Sequence, residues 1–169
     1  MKKQIYFIMF IILLLPWGCT VPQYIWPQGD MGFQEINPSS LEKKILIASR
    51  KSEFKDAIVQ KIEEAFKGHD VYIRITGIEN LKNEEADQYS AIVLINTAMG
   101  WKIDRKVKSF LDKHKDLDSI IVLTTSGGGD IMPDTKKYRI DAVSAASTKD
   151  ETKDIANEII SKVYELIEQ

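Results

Sequence analysis

Apolar residues fall in five short runs that read as strands, with helix-period segments between most of them. Residues 44–49 (K-I-L-I-A-S) form a strand of the buried type. Residues 52–67 then carry Phe54, Ala57, Ile58, Ile62, Ala65 and Phe66 at helical spacing on one face, closed by Gly68. Residues 70–76 (D-V-Y-I-R-I-T) alternate, as a strand with one less buried face does, and the acidic stretch 78–88 allows at most a short helix. Residues 89–96 (Y-S-A-I-V-L-I-N) predict a third strand, apolar on both faces. After a loop at 97–101, a helix with Ile103, Val107, Phe110 and Leu111 inward runs to about residue 115. Residues 120–130 (I-I-V-L-T-T-S-G-G-G-D) are a doubly buried strand that breaks abruptly into three glycines and an acid. Residues 138–144 read as a fifth strand. Residues 148–168 predict a long helix with Ile155, Ile159, Ile160, Val163, Leu166 and Ile167 inward, opened by a capping box of Thr148 and Glu151.

This alternation predicts an α/β domain with a doubly wound, mainly parallel, five-stranded sheet. One crossover is short: residues 126–137 hold Pro133 and three glycines without a helical pattern, near the minimum length for a parallel connection. The last strand is therefore joined by a bare loop or lies antiparallel at the edge. In open α/β sheets ligands sit outside the carboxyl ends of the strands, so the loops at that edge are the candidate site.

The domain is expected to span 43–169. Ahead of it, residues 1–18 have the layout of a secretory signal: Lys2 and Lys3, then eleven unbroken apolar residues from Ile5 to Leu15, too few for a membrane span of about 20. Gly18 and Cys19 resemble a bacterial lipoprotein signal, which implies lipidation of Cys19, although Pro16 and Trp17 depart from that pattern. The other reading is a signal, cleaved or not, with an incidental cysteine. Residues 19–42, with Pro22, Pro27, Pro38, Gly29 and Gly32, read as a tether whose Tyr24, Ile25, Trp26 and Phe33 pack on the domain or near a membrane interface.

Composition narrows the classes. A length of 169 residues holds one ordinary domain, and 28% charged with 44% hydrophobic residues is a globular balance. Lysine plus arginine number 23 against 25 acids, and without Lys2 and Lys3 the balance is 21 against 25, or −4, which gives no electrostatic reason to expect nucleic acid. With one cysteine no intramolecular disulfide can form. His69 and His114 sit near helix ends without a companion ligand, so no metal is expected. Asp130 and Asp134 read as turn residues, and no catalytic set emerges.

The strand pattern from Lys43 onward, with its loops, resembles flavodoxin-like domains. The resemblance implies the strand order 2-1-3-4-5 and FMN held at the switch between strands one and three. It implies that Ser49, Arg50 and Ser52 lie in a phosphate loop, and that Thr97 and Trp101 lie in a ring-stacking loop. It also implies that Thr125, Ser126, Gly127, Gly128 and Gly129 lie in the second flavin-contacting loop. The phosphate loop departs from the family: residues 49–54 (S-R-K-S-E-F) contain no glycine, Arg50 and Lys51 offer charge, and Glu53 opposes it. Residues 141–147 (D-A-V-S-A-A-S) are similar to the motif at which a transferase attaches FMN through a phosphoester, which implies Ser147 as acceptor, with Ala145 in place of the usual glycine. The plain reading is that Ser147 or Thr148 caps the last helix. The function these resemblances imply is FMN-linked electron transfer at the extracytoplasmic face of a membrane, with a redox partner protein. The other expectation is a flavin-free interaction or ligand-sensing module on the same scaffold.

Overall fold

The computed structural model describes residues 28–168. The signal segment, Cys19 and the apolar residues Tyr24, Ile25 and Trp26 lie outside the described residues. The elements in order are β1 (Gln34–Ile36), β2 (Lys43–Ser49), α1 (Glu53–Phe66) and β3 (Val71–Gly77), then 3-10 turns at Ile78–Asn83 and Ala86–Gln88. There follow β4 (Ala91–Thr97), α2 (Arg105–Lys113), β5 (Ile120–Thr125), β6 (Ile140–Ala145) and α3 (Thr152–Ile167).

The sheet runs β1-β3-β2-β4-β5-β6. Its five parallel strands keep the order expected from the sequence, but the sheet has six strands, not five. The sixth is β1, antiparallel to β3, with Gln34, Glu35 and Ile36 opposite Ile75, Arg74 and Ile73. It comes from the stretch expected to be a tether. A three-residue strand carries no periodic signal, yet it supplies partners for an edge that would otherwise present unpaired backbone groups. The short crossover after β5 is a bare loop, and β6 pairs in parallel from Ile120↔Ile140 to Thr125↔Ala145.

Alternate residues of the same strands feed two core layers. Ile45, Ile47, Val93, Ile95, Ile121 and Leu123 pack with α1 and α3, whereas Leu46, Ala48, Ile92, Leu94, Ile120 and Val122 pack with α2 and the 3-10 turns. Burial on both faces is why these strands read as continuous apolar runs. In α3 the side chains of Ala156, Ile159, Val163 and Ile167 are buried, while Ile155, Ile160 and Leu166 pack partly exposed on the same cluster. The helix starts at Thr152, and the expected capping box does not form. Glu151 makes no cap bond; its carboxylate accepts instead from the Ala146 amide at 3.1 Å.

Candidate functional site

The loops after β2, β4, β5 and β6 meet at one edge of the sheet, because the ladders bring Ser49 beside Ile95 and align Thr97, Thr125 and Ala145. At their centre is Arg50, 6% exposed. Its Nε and Nη2 donate to Asp104 Oδ2 at 2.9 and 2.7 Å, and Nη1 reaches Asp30 Oδ1 at 2.8 Å and Glu79 Oε1 at 2.9 Å. Burial works against the charge of Arg50, but the hydrogen bond and charge of Asp104, with Asp30 and Glu79 behind it, outweigh that and hold its pKa above the ordinary value. Glu79 is held below the usual carboxylate range first by its bond to the Lys106 ammonium; burial works against that, and the hydrogen bond and charge of Arg50 add to the lowering.

Asp104 does two jobs. Its Oδ1 caps α2 by accepting from the Lys106 amide at 2.8 Å, while Oδ2 holds Arg50. Its own amide donates to Asn96 Oδ1 at 3.1 Å, and Asn96 Nδ2 donates to Leu123 O and Thr124 Oγ1, each at 3.0 Å. The end of β4 is thereby locked to β5 and to the start of α2.

The segment ahead of β1 lies against the loop after β2. Lys51 donates its amide to Gly29 O at 2.8 Å, Met31 donates to Ser49 O at 3.1 Å, and Arg50 donates to Ile95 O at 2.9 Å. Asp30 Oδ2 also accepts from the Glu79 amide at 2.7 Å. Its carboxyl packs so closely on Gly77 that a Cβ there would stand 2.4 Å from Oδ2, so only glycine fits.

Behind this cluster Lys55, 4% exposed, sends Nζ to Thr97 Oγ1 at 2.7 Å. Thr125 Oγ1 lies 3.4 Å from Thr97 Oγ1 and 3.2 Å from Asn96 O. Among the described residues Lys55 has no ion-pair partner. Burial lowers its pKa to about 8, Arg50 adds to that, and Asp56 opposes it.

The outer loops are open. Trp101 is 81% exposed with φ +63°, in a turn closed between Met99 and Lys102. Ser126 Oγ is tied to the backbone amide and carboxylate of Asp130 at 3.3 and 3.4 Å, and Gly127 and Gly128 are exposed. Gly129 has φ +67°, and a Cβ there would meet the Ala146 nitrogen at 2.9 Å. Gly129→Ala is therefore expected to destabilise the domain by roughly 1–3 kcal/mol. An unchanged urea midpoint would show that the loop does not depend on this conformation. Ser147 is exposed with φ +63°, in the turn between β6 and α3, and it caps neither end of that helix.

No protein-family model matches this chain, and none of the curated proteins matches it. Solved structures do. Oxidised Flavodoxin 2 from Bacillus cereus is 16% identical with a TM-score of 0.52, the match covering 72% of this chain and 99% of that one. A flavodoxin from the domain Archaea is 10% identical with a TM-score of 0.51, over 73% of this chain and 98% of that one. The fold is flavodoxin-like.

Within this flavodoxin-like frame the expected phosphate loop does not fit a flavin phosphate. Ser49 is fully buried and its Oγ donates to Arg50 O at 2.7 Å; four of the five N–H donors of Arg50 are held by carboxylates; Ser52 Oγ accepts from the Lys55 amide at 3.3 Å as the cap of α1. The amides of Arg50 and Lys51 are already donated, to Ile95 and Gly29. The side chains of Ser49, Arg50 and Ser52 are therefore engaged within the domain, and Thr97 and Thr125 bond to Lys55 and Asn96. Of the residues singled out from sequence, Trp101, Gly127, Gly128 and Ser147 remain open at this edge. Asp30, Lys55, Glu79, Asn96 and Asp104 were missed as members of the cluster. Only Asp104 left a signal, an acid directly ahead of a helix pattern.

Proposed function

We propose that this domain is a flavin-free binding module. It takes a protein partner on the loops after β4, β5 and β6, and it is held at the extracytoplasmic face of a membrane through lipidated Cys19. The observation that carries the flavin-free reading is the filled loop after β2. A buried guanidinium whose charge is met by Asp30, Glu79 and Asp104, with four of its five N–H donors engaged, has little left to offer a phosphate. Trp101 supports the partner reading, since an exposed aromatic on a braced turn is the kind of anchor around which protein interfaces concentrate their energy. The basic start, apolar run and Gly18-Cys19 support the location.

FMN-linked electron transfer is the second reading. It is favoured by the two flavodoxins above and by Trp101, Gly127, Gly128 and Ser147, which stand open where a flavin could be stacked or esterified. The visible absorption spectrum of protein purified from its own host, before and after denaturation and filtration, separates the two. A colourless protein that leaves FMN fluorescence unquenched on titration is the expected result. Flavin released on denaturation would overturn it in favour of a noncovalent site, and flavin retained would overturn it in favour of Ser147.

A further inference from the structure

The geometry points to a second binding site, on the face of the sheet that α2 covers, for a small amphipathic carboxylic acid. After β3 the chain makes a 3-10 turn, Ile78–Asn83, where the crossovers after β2 and β4 carry a full helix. This short element leaves a cleft of about 320 Å³ beside α2, within the range of small-molecule sites. Its floor is Ile78, Leu81 and Phe110, each at most 5% exposed, so the base is core surface and would hold an apolar body.

The rim is cationic. Lys106 is already paired with Glu79, whose other oxygen is taken by Arg50 at 2.9 Å, so the acid on this rim is neutralised. Lys82 and Lys113 are exposed on the rim, and neither has an ion-pair partner among the described residues. His114, its ring tilted against Phe110 at 4.6 Å between ring centres, completes the wall, and its Nε2 is buried with no hydrogen-bond partner among the described residues. Burial first, and then the charge of Lys113, keep this imidazole below its usual pKa, with Asp87 opposing, so it stays neutral near pH 7. An apolar floor flanked by free ammonium groups selects a ligand with a hydrophobic body and one negative head. A neutral apolar molecule would leave the lysines unused, and a bare inorganic anion would leave the floor unused. A cleft of this size suits a ring or a short chain rather than a length of polypeptide.

The cleft shares Glu79 with the Arg50 cluster but none of the residues open on the loops after β4, β5 and β6, so its failure would leave the reading of those loops untouched. The test is calorimetric titration of the full-length protein with 2-naphthoate and, in parallel, with the uncharged 2-naphthalenemethanol. Saturable binding of the acid is expected, with the alcohol weaker. Lys82→Gln combined with Lys113→Gln should weaken the acid by roughly tenfold, about what the loss of two exposed charge contacts allows. Ser109→Trp, an exposed change on the cleft wall that leaves the core intact, should abolish binding. Absence of binding, equal binding of acid and alcohol, or full binding by the Ser109→Trp protein would each overturn the assignment.

Discussion

Arg50→Met is expected to lower stability by about 3–5 kcal/mol, the usual effect of removing one partner from a buried charge cluster. The guanidinium is the shared counter-ion of Asp104, whose side chain is 6% exposed, of Asp30 at 21%, and of Glu79. Without it, Asp104 keeps its cap bond to Lys106 but holds a buried negative charge that nothing offsets. Adding Asp104→Asn should recover much of the loss, because asparagine still caps α2 while the stranded charge disappears. Urea unfolding of the single and double variants at pH 7 checks both claims. A single-variant loss below about 1 kcal/mol would mean that the cluster is solvated like a surface pair.

Lys55→Met is expected to act in the opposite direction, raising stability by roughly 3 kcal/mol at pH 7. Among the described residues the desolvated ammonium has one hydrogen bond and no ion-pair partner, and the charge of Asp56 does not make up for its burial, so its folded pKa falls to about 8 from 10.5. Each unit of pKa is about 1.4 kcal/mol. The sign follows from proton binding. Between pH 8 and 10.5 the unfolded chain holds a proton at this site that the folded chain has released, so the native protein gains stability as pH rises through that window. Below about pH 8 the penalty is present in full. The advantage of the methionine variant should therefore be level up to about pH 8 and shrink towards pH 10.5. An advantage that does not change with pH would trace it to packing rather than to charge.

β2, β4 and β5 were legible because each is apolar on both faces, a pattern that survives without knowledge of its neighbours, and β3 because its residues alternate. β1 was not, since three residues among prolines and glycines show no period until β3 is known to need an edge partner. The capping box at Thr148 and Glu151 was a sound local pattern that lost to a longer-range one, the bond from Ala146 to the Glu151 carboxylate. Arg50 shows the same limit at the site. Beside Lys51 and ahead of a helix it reads as a phosphate ligand, but the acids that claim it stand 20 and 54 residues away in the chain. No property of residues 49–54 announces them. The open loops around Trp101 and Gly127 were easier, because Gly and turn residues mark exposure locally.

The fastening of residues 28–31 onto the loop after β2 also sets how the domain answers to force. A pull along the chain ahead of Gln28 arrives at the bond from Lys51 to Gly29, then at the Asp30–Arg50 pair, before it can reach β1 or strip it from β3. The load would thus be taken at the centre of the sheet edge, among the buried charges, and not at a frayed end. Resistance to such a pull depends on the rate of unfolding rather than on equilibrium stability. The hold of residues 28–31 on the sheet edge is then as stiff as the ion-pair cluster itself, and loosening that cluster would turn a fixed mount into a swivel.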